Sequence, residues 1–347
     1  GGCPHILAEP QRTNLITYSE DFSQSYWTKS GSSVTGGFTS PDGTANAYKL
    51  VEDTNTSQHK LNIASVSVIA NTTNTISFYI KKGERSKVTL EYGGGGGGNA
   101  KFDLELGTII SQTIGDATIS ELVNGFYRCS ATFTTTSTSN YANVYLMNDS
   151  SQTTYTGNGT SGAYIYGAQL EEGSFPTSII PTDGSTVTRV QDQFSRDGIS
   201  SLINSESGVL FVESSFLSTG VADGNGLSIS DGTNDNILKY YTYSGLLYVD
   251  FKVSGVLQAS ISTSAYSVDG VNKVAASFKS NEFKLYINGV QVGSTDVSVN
   301  VPSANTLDTL YFRGNPTSSS SNLLAKVKQL QVYKTALTDT QLAALTS

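Results

Sequence analysis

The chain has 347 residues, enough for two ordinary domains that each bury a core. Only 14% of them are charged and 37% hydrophobic, and Ser, Thr, Gly and Asn dominate the remainder, which suits many short strands and frequent turns and argues against long helices. The net charge of −8, with 21 scattered basic residues, excludes nucleic acid as a partner, because phosphate binding needs clustered Lys and Arg.

Gly1-Gly2 opens the chain and the only methionine is Met147, so the sequence is expected to be a processed form or a piece of something longer. No run approaches the roughly 18 to 20 apolar residues of a membrane span, and no basic-then-apolar leader is present, so no membrane insertion is expected. Residues 1–13 read as an N-terminal extension.

From residue 14 to 182 the pattern is that of one β domain. In Thr75-Ile76-Ser77-Phe78-Tyr79-Ile80, Ile76, Phe78 and Ile80 share a face and Ser77 and Tyr79 point the other way. Val88, Leu90 and Tyr92 form the next inward set, Ala142, Val144 and Leu146 another, and Tyr164, Tyr166, Ala168 and Leu170 a late one. Trp27, near the start of this domain, reads as a core anchor in preference to a stacking platform. The run Gly93 to Gly98 should be a loop or a close backbone approach; a phosphate cradle is disfavoured because no Gly-Lys-Ser/Thr follows. Alternation in Tyr127-Arg128-Cys129-Ser130-Ala131 puts Cys129 on the apolar face, which favours a buried thiol over a disulfide with Cys3.

Between 183 and 207 the strand pattern lapses into polar residues, and this segment reads as a linker. A second β domain is expected over 208–347. Its clearest signal is Phe283 to Val292, two alternating strands around Asn288-Gly289, residues that tolerate the positive φ of a type I′ turn. Thr338-Asp339-Thr340-Gln341 reads as a capping box before a short helix carrying Leu342 and Leu345. The fold class is therefore all-β: two tandem antiparallel β-sandwich (jelly-roll) domains with a short C-terminal helix.

Catalysis would leave a constellation of reactive residues, and little of that kind is found. The two histidines, His5 in a Pro- and Cys-containing terminal stretch and His59 in a polar segment, read as surface residues; no His/Cys spacing suits zinc and no GxSxG elbow appears. Glu171-Glu172 is the obvious carboxylate pair for glycoside hydrolysis, but neighbours on a strand point to opposite faces, so a solvated strand end is the better reading. No enzyme activity is expected, and no cofactor is required. Binding leaves aromatic rings on a sheet among amides and carboxylates, since a sugar offers C–H faces edged with hydroxyls. With 19 tyrosines against one tryptophan, the candidate carbohydrate-binding residues are Tyr79, Tyr141, Asn143 and Tyr145, the competing reading being ordinary sheet surface or a subunit interface. In the second domain Asp223, Asp231 and Asp235 concentrate oxygen ligands that would suit a structural Ca²⁺, although Asp-Gly and Asn-Gly are also plain turn formers.

Thr13-Asn14-Leu15-Ile16-Thr17-Tyr18-Ser19-Glu20-Asp21-Phe22 with Trp27, Ser40-Pro41-Asp42-Gly43-Thr44-Ala45, Asn124-Gly125-Phe126-Tyr127-Arg128-Cys129 and Tyr166-Gly167-Ala168-Gln169-Leu170-Glu171-Glu172-Gly173 together resemble the carbohydrate-binding-module-like jelly rolls of bacteriophage tail-fibre and head-fibre proteins. Tyr286-Ile287-Asn288-Gly289-Val290 and Leu337-Thr338-Asp339 resemble a concanavalin A-like, laminin-G-type sandwich. The resemblance implies a protein of the virion surface, homotrimeric as fibres tend to be, touching host capsule or lipopolysaccharide and other virion proteins. Two other readings stay open: a structural or capsid decoration protein, and a polysaccharide depolymerase fragment.

Overall fold

Strands that are apolar on alternate residues are stable only when that face is covered, and each half of this chain covers it with a second sheet. The structure, a computed structural model, describes residues 5–94, 97–113, 115–217, 225–267, 270–318 and 320–347. Contacts divide the chain into two units, residues 11–190 and residues 191–347 joined by residues 1–10. Both units are built of antiparallel strands in a jelly-roll arrangement.

In the unit of residues 11–190 one six-stranded sheet runs, edge to edge, Thr108–Gln112, Gly98–Asp103, Lys87–Gly93, Ser139–Met147, Lys60–Ser67, Thr28–Ser30. The other runs Ala117–Glu121, Phe126–Thr135, Thr72–Lys82, Gly162–Glu172, Ala47–Glu52, Ser32–Phe38. Ile76, Phe78 and Ile80 of one sheet meet Val88, Leu90, Tyr92, Ala142, Val144 and Leu146 of the other in a single core, as the alternation predicts. Trp27 is an anchor of that core: its ring packs on Phe22 and Phe78, and its indole N–H donates to the Tyr18 carbonyl at 2.8 Å. Cys129 is a fully buried free thiol whose ionisation burial opposes; Cys3 lies outside the described residues.

Three sequence expectations change here. In Gly162–Glu172 the inward residues are Ala163 and Ile165, then Ala168 and Leu170, while Tyr166 is buried in a separate cluster with Ala47 and Phe126. A bulge between Tyr166 and Gln169, with Gly167 at φ 58°, shifts the alternation by one residue midway along the strand. His59 is fully buried, its ring nitrogens 2.6 Å from the Gly31 carbonyl and 3.1 Å from the Tyr155 carbonyl, so its polar neighbours in sequence did not make it a surface residue. Glu171 is also fully buried, taking hydrogen bonds from the Thr177 N–H, the Thr177 hydroxyl and the Gln169 amide, whereas Glu172 is exposed.

The second unit pairs the sheet Ile6–Ala8, Ala325–Tyr333, Ser207–Phe216, Asn272–Lys279, Glu282–Ile287, Val290–Asp296 with the sheet Ser195–Arg196, Thr309–Tyr311, Asn225–Ser230, Ile237–Tyr243, Leu246–Val253, Val256–Thr263. Ile287 pairs with Val290 around Asn288 (φ 49°) and Gly289 (φ 87°), the two-residue turn expected. The helix Asp339–Thr346 is closed at its start by the Thr338–Gln341 capping box and buries Leu342 against Val209, Phe211, Ala275 and Tyr286. The segment 183–207 is less of a free linker than its composition suggests. Val187–Arg189 pairs with Arg12–Asn14, Ser195–Arg196 pairs with Leu310 and Tyr311, and Ile199 and Ile203 enter the second core. These pairings are too short to show alternation.

Candidate functional site

Every second residue of a strand in a sandwich faces away from the core, and on Ser139–Met147 those residues are Tyr141, Asn143 and Tyr145. Cross-strand register sets their neighbours: Tyr141 stands opposite Gly93, Asn143 between Glu91 and Asn62, and Tyr145 between Thr89 and Lys60. A side chain at position 93 would collide with the Tyr141 ring, since a Cβ there would lie 2.0 Å from its Cζ. The first residue of the glycine run thus makes room for an aromatic ring that keeps 40% of its surface exposed.

Next to that ring lies a polar network. The Glu91 carboxylate accepts from the Asn143 amide at 2.7 Å and from the Tyr145 hydroxyl at 2.5 Å. The same hydroxyl accepts from Asn143 and from the Lys60 ammonium, each at 3.3 Å, and that ammonium sits 5.1 Å above the Tyr145 ring. Burial, and then the Glu91 charge, push the Tyr145 and Tyr141 hydroxyls above their ordinary range, so both stay neutral. Asn143 and Tyr145 are buried within this face, at 4% and 5% exposure, and the Asn143 Oδ1 is a buried acceptor without a donor.

Tyr79 does not join these three. It lies on the other sheet, under the Arg128 guanidinium at 5.1 Å and beside the Tyr166 ring at 5.7 Å. Of the Ca²⁺ candidates, Asp223 lies outside the described residues. Asp231 and Asp235 belong to the turn between Asn225–Ser230 and Ile237–Tyr243. Burial opposes ionisation of Asp231, but hydrogen bonds from Thr233 and Asn236 hold its carboxyl below the usual carboxylate range. Among the described residues no three His, Cys, Asp or Glu side chains group to hold a metal ion.

Sequence reading missed Glu91 and Lys60, because only strand pairing brings them to Asn143 and Tyr145. It also missed a second tyrosine cluster, on the outer face of the second unit. Tyr241 and Tyr248 are cross-strand partners with rings stacked at 5.1 Å and 16°, and the Lys239 ammonium lies 4.4 Å from the Tyr241 ring. Asp250 accepts from the Tyr241 hydroxyl at 2.9 Å and the Ser260 hydroxyl at 2.7 Å, with Lys239 at 3.3 Å. The alternating pair Tyr241 and Tyr243 was the signal for it in the sequence.

Residues 214–343, within the second unit, match the family described as the concanavalin A-like lectin/glucanases superfamily. Similar solved structures include the CBM40 of the Ruminococcus gnavus IT-sialidase bound to α2,3-sialyllactose, 17% identical over 44% of this chain and 98% of that one, with a TM-score of 0.35. A native heptameric SAP-like pentraxin from Limulus polyphemus is 15% identical over 42% of this chain and 72% of its own, with a TM-score of 0.33. Sheep galectin-11 in complex with glycerol is 10% identical over 42% and 99%, with a TM-score of 0.28. No curated protein matches the chain. Over residues 214–343 the second unit is therefore similar to concanavalin A-like, laminin-G-like sandwiches.

Proposed function

We propose that this chain is a non-catalytic carbohydrate-binding adhesin. The observation that carries the reading is the Tyr141 face: an exposed ring held in place over a glycine, beside a carboxylate, an amide and an ammonium that are already ordered by one another. A pyranose has an apolar C–H face to lay on the ring and hydroxyls to meet the polar groups at its edge. Because the partners are ordered in advance, little side-chain entropy remains to be lost on binding. The Tyr241–Tyr248 cluster combines rings, carboxylate and ammonium in the same way on the second unit, and two weak contacts on one chain would reinforce each other.

The fibre setting is supported by the sequence resemblance. In that setting the chain is a homotrimer on the virion surface, joined to other virion proteins and holding capsule or lipopolysaccharide of a bacterial host. The test is binding of the labelled intact protein to host cells before and after enzymatic removal of their surface polysaccharide. Binding that disappears with the polysaccharide supports the reading, and binding that persists overturns it. One observation favours an assembly role instead: Asn143 and Tyr145 are buried within their own face and hydrogen-bonded to one another. That reading requires Tyr141 to be occluded in the oligomer.

A further inference from the structure

The unit of residues 11–190 has an open groove of about 620 Å³ that shares no lining residue with the Tyr141 face. That volume falls in the range of small-ligand sites, roughly 300 to 1,000 Å³. It opens at one end of the sandwich, where the strands Arg12–Asn14, Lys60–Ser67, Thr72–Lys82 and Gly162–Glu172 begin or finish. One wall is apolar: Val68 is buried, Leu15 half-buried, and Ile69 leaves 65% of its surface open. The polar wall is fixed. Asn74 is 1% exposed, and its amide nitrogen donates to the Thr72 carbonyl at 3.1 Å and the Thr72 hydroxyl at 3.2 Å, while its Oδ1 takes no hydrogen bond from the described residues.

The Arg12 guanidinium is held against the Phe175 ring at 5.4 Å, the Gln11 carbonyl at 3.2 Å and the Glu171 carboxylate at 3.8 Å. Gly173 leaves the space it occupies, since a Cβ there would lie 2.4 Å from Nη2. Glu172 stands on the rim. The guanidinium is matched by the Glu171 carboxylate and Glu172 adds a second negative charge at the rim, so the groove has no surplus of positive charge to attract an acidic ligand.

The lining asks for a neutral group with a methyl, an N–H donor and a carbonyl acceptor in close succession. We propose that this groove receives the acetamido group of an N-acetylated sugar: its N–H donates to the Asn74 Oδ1, its carbonyl accepts from Arg12, and its methyl covers Ile69 and Val68. The proposal rests on the carbohydrate reading above and names the sugar class. It is tested by calorimetric titration of the full chain with chitotriose and with cellotriose, which lacks the acetamido groups. Ile69→Asp changes an exposed side chain and leaves the core intact; Tyr141→Ala controls for the tyrosine face. The expected result is chitotriose binding about tenfold tighter than cellotriose, weakened about tenfold by Ile69→Asp and keeping its preference for the acetylated sugar in Tyr141→Ala. Equal affinity for chitotriose and cellotriose, or no effect of Ile69→Asp, overturns the proposal. If binding is equal for the two and only Tyr141→Ala removes it, the groove fails while the carbohydrate reading stands. No binding of any saccharide overturns both.

Discussion

Gly93→Ala separates the position of the Tyr141 ring from the stability of the sheet that displays it. A Cβ at 93 would lie 2.0 Å from the Tyr141 Cζ and 2.3 Å from its Cε1 and hydroxyl oxygen, so the ring has to leave its place. It can do so by turning outward, because the three nearest atoms all belong to the far end of a 40%-exposed side chain. Gly93 ends a strand, where alanine is favoured over glycine by about 0.5 to 1 kcal/mol, and this offsets what the displaced ring loses in packing. Thermal unfolding should therefore shift by no more than about 3 °C. If the ring is a sugar platform worth about 0.5 to 1.5 kcal/mol, affinity for the bound glycan falls roughly three- to tenfold, as read by titration of the full chain. Unchanged affinity in Gly93→Ala would remove Tyr141 from the site, and a large fall in unfolding temperature would show that the ring is there for packing.

Other perturbations probe the scaffold. Burial opposes ionisation of Asp21, yet hydrogen bonds from Ser23, Gln24 and Tyr48 lower its pKa from 3.8 to about 2. A carboxyl lowered on folding contributes stability that is present above about pH 4 and lost as the pH falls towards 2, so Asp21→Asn should flatten the drop in unfolding temperature over that window; an unaltered profile would contradict this. Gly167→Ala places a Cβ 2.4 Å from the Ile179 Cδ1 at a φ of 58°, and should cost about 2 to 3 kcal/mol in urea denaturation, whereas native-like stability would show that the bulge tolerates a side chain. His59→Leu leaves the Gly31 and Tyr155 carbonyls without their ring partner and should cost about 2 to 4 kcal/mol, measured the same way; a cost near zero would mean those contacts contribute little.

What the sequence revealed was whatever depends on neighbours along the chain. Ile76, Phe78 and Ile80 declared a strand face, Asn288-Gly289 a turn and Thr338 to Gln341 a helix start, because each is a local preference with a short period. Partners that meet only through pairing stayed hidden. Nothing local joins Glu91 and Lys60 to Tyr145, or separates Tyr79 from Tyr141 by a whole sandwich, until the order of strands is known. The outward reading of Glu171 overlooked that a polar residue can be buried if neighbours satisfy it, here Thr177 and Gln169. The single residue inserted at Gly167 reversed half of one strand, an event that alternation records only as an interruption.

The central claim is that the Tyr141 face holds a sugar. It is tested most directly by the structure of the full chain in complex with the host-surface oligosaccharide it binds best. A pyranose lying on the Tyr141 ring at van der Waals distance, about 4 Å, with a hydroxyl directed at the Glu91 carboxylate, is the predicted result. A complex in which the sugar is bound elsewhere and the Tyr141 ring touches nothing of it would contradict the account.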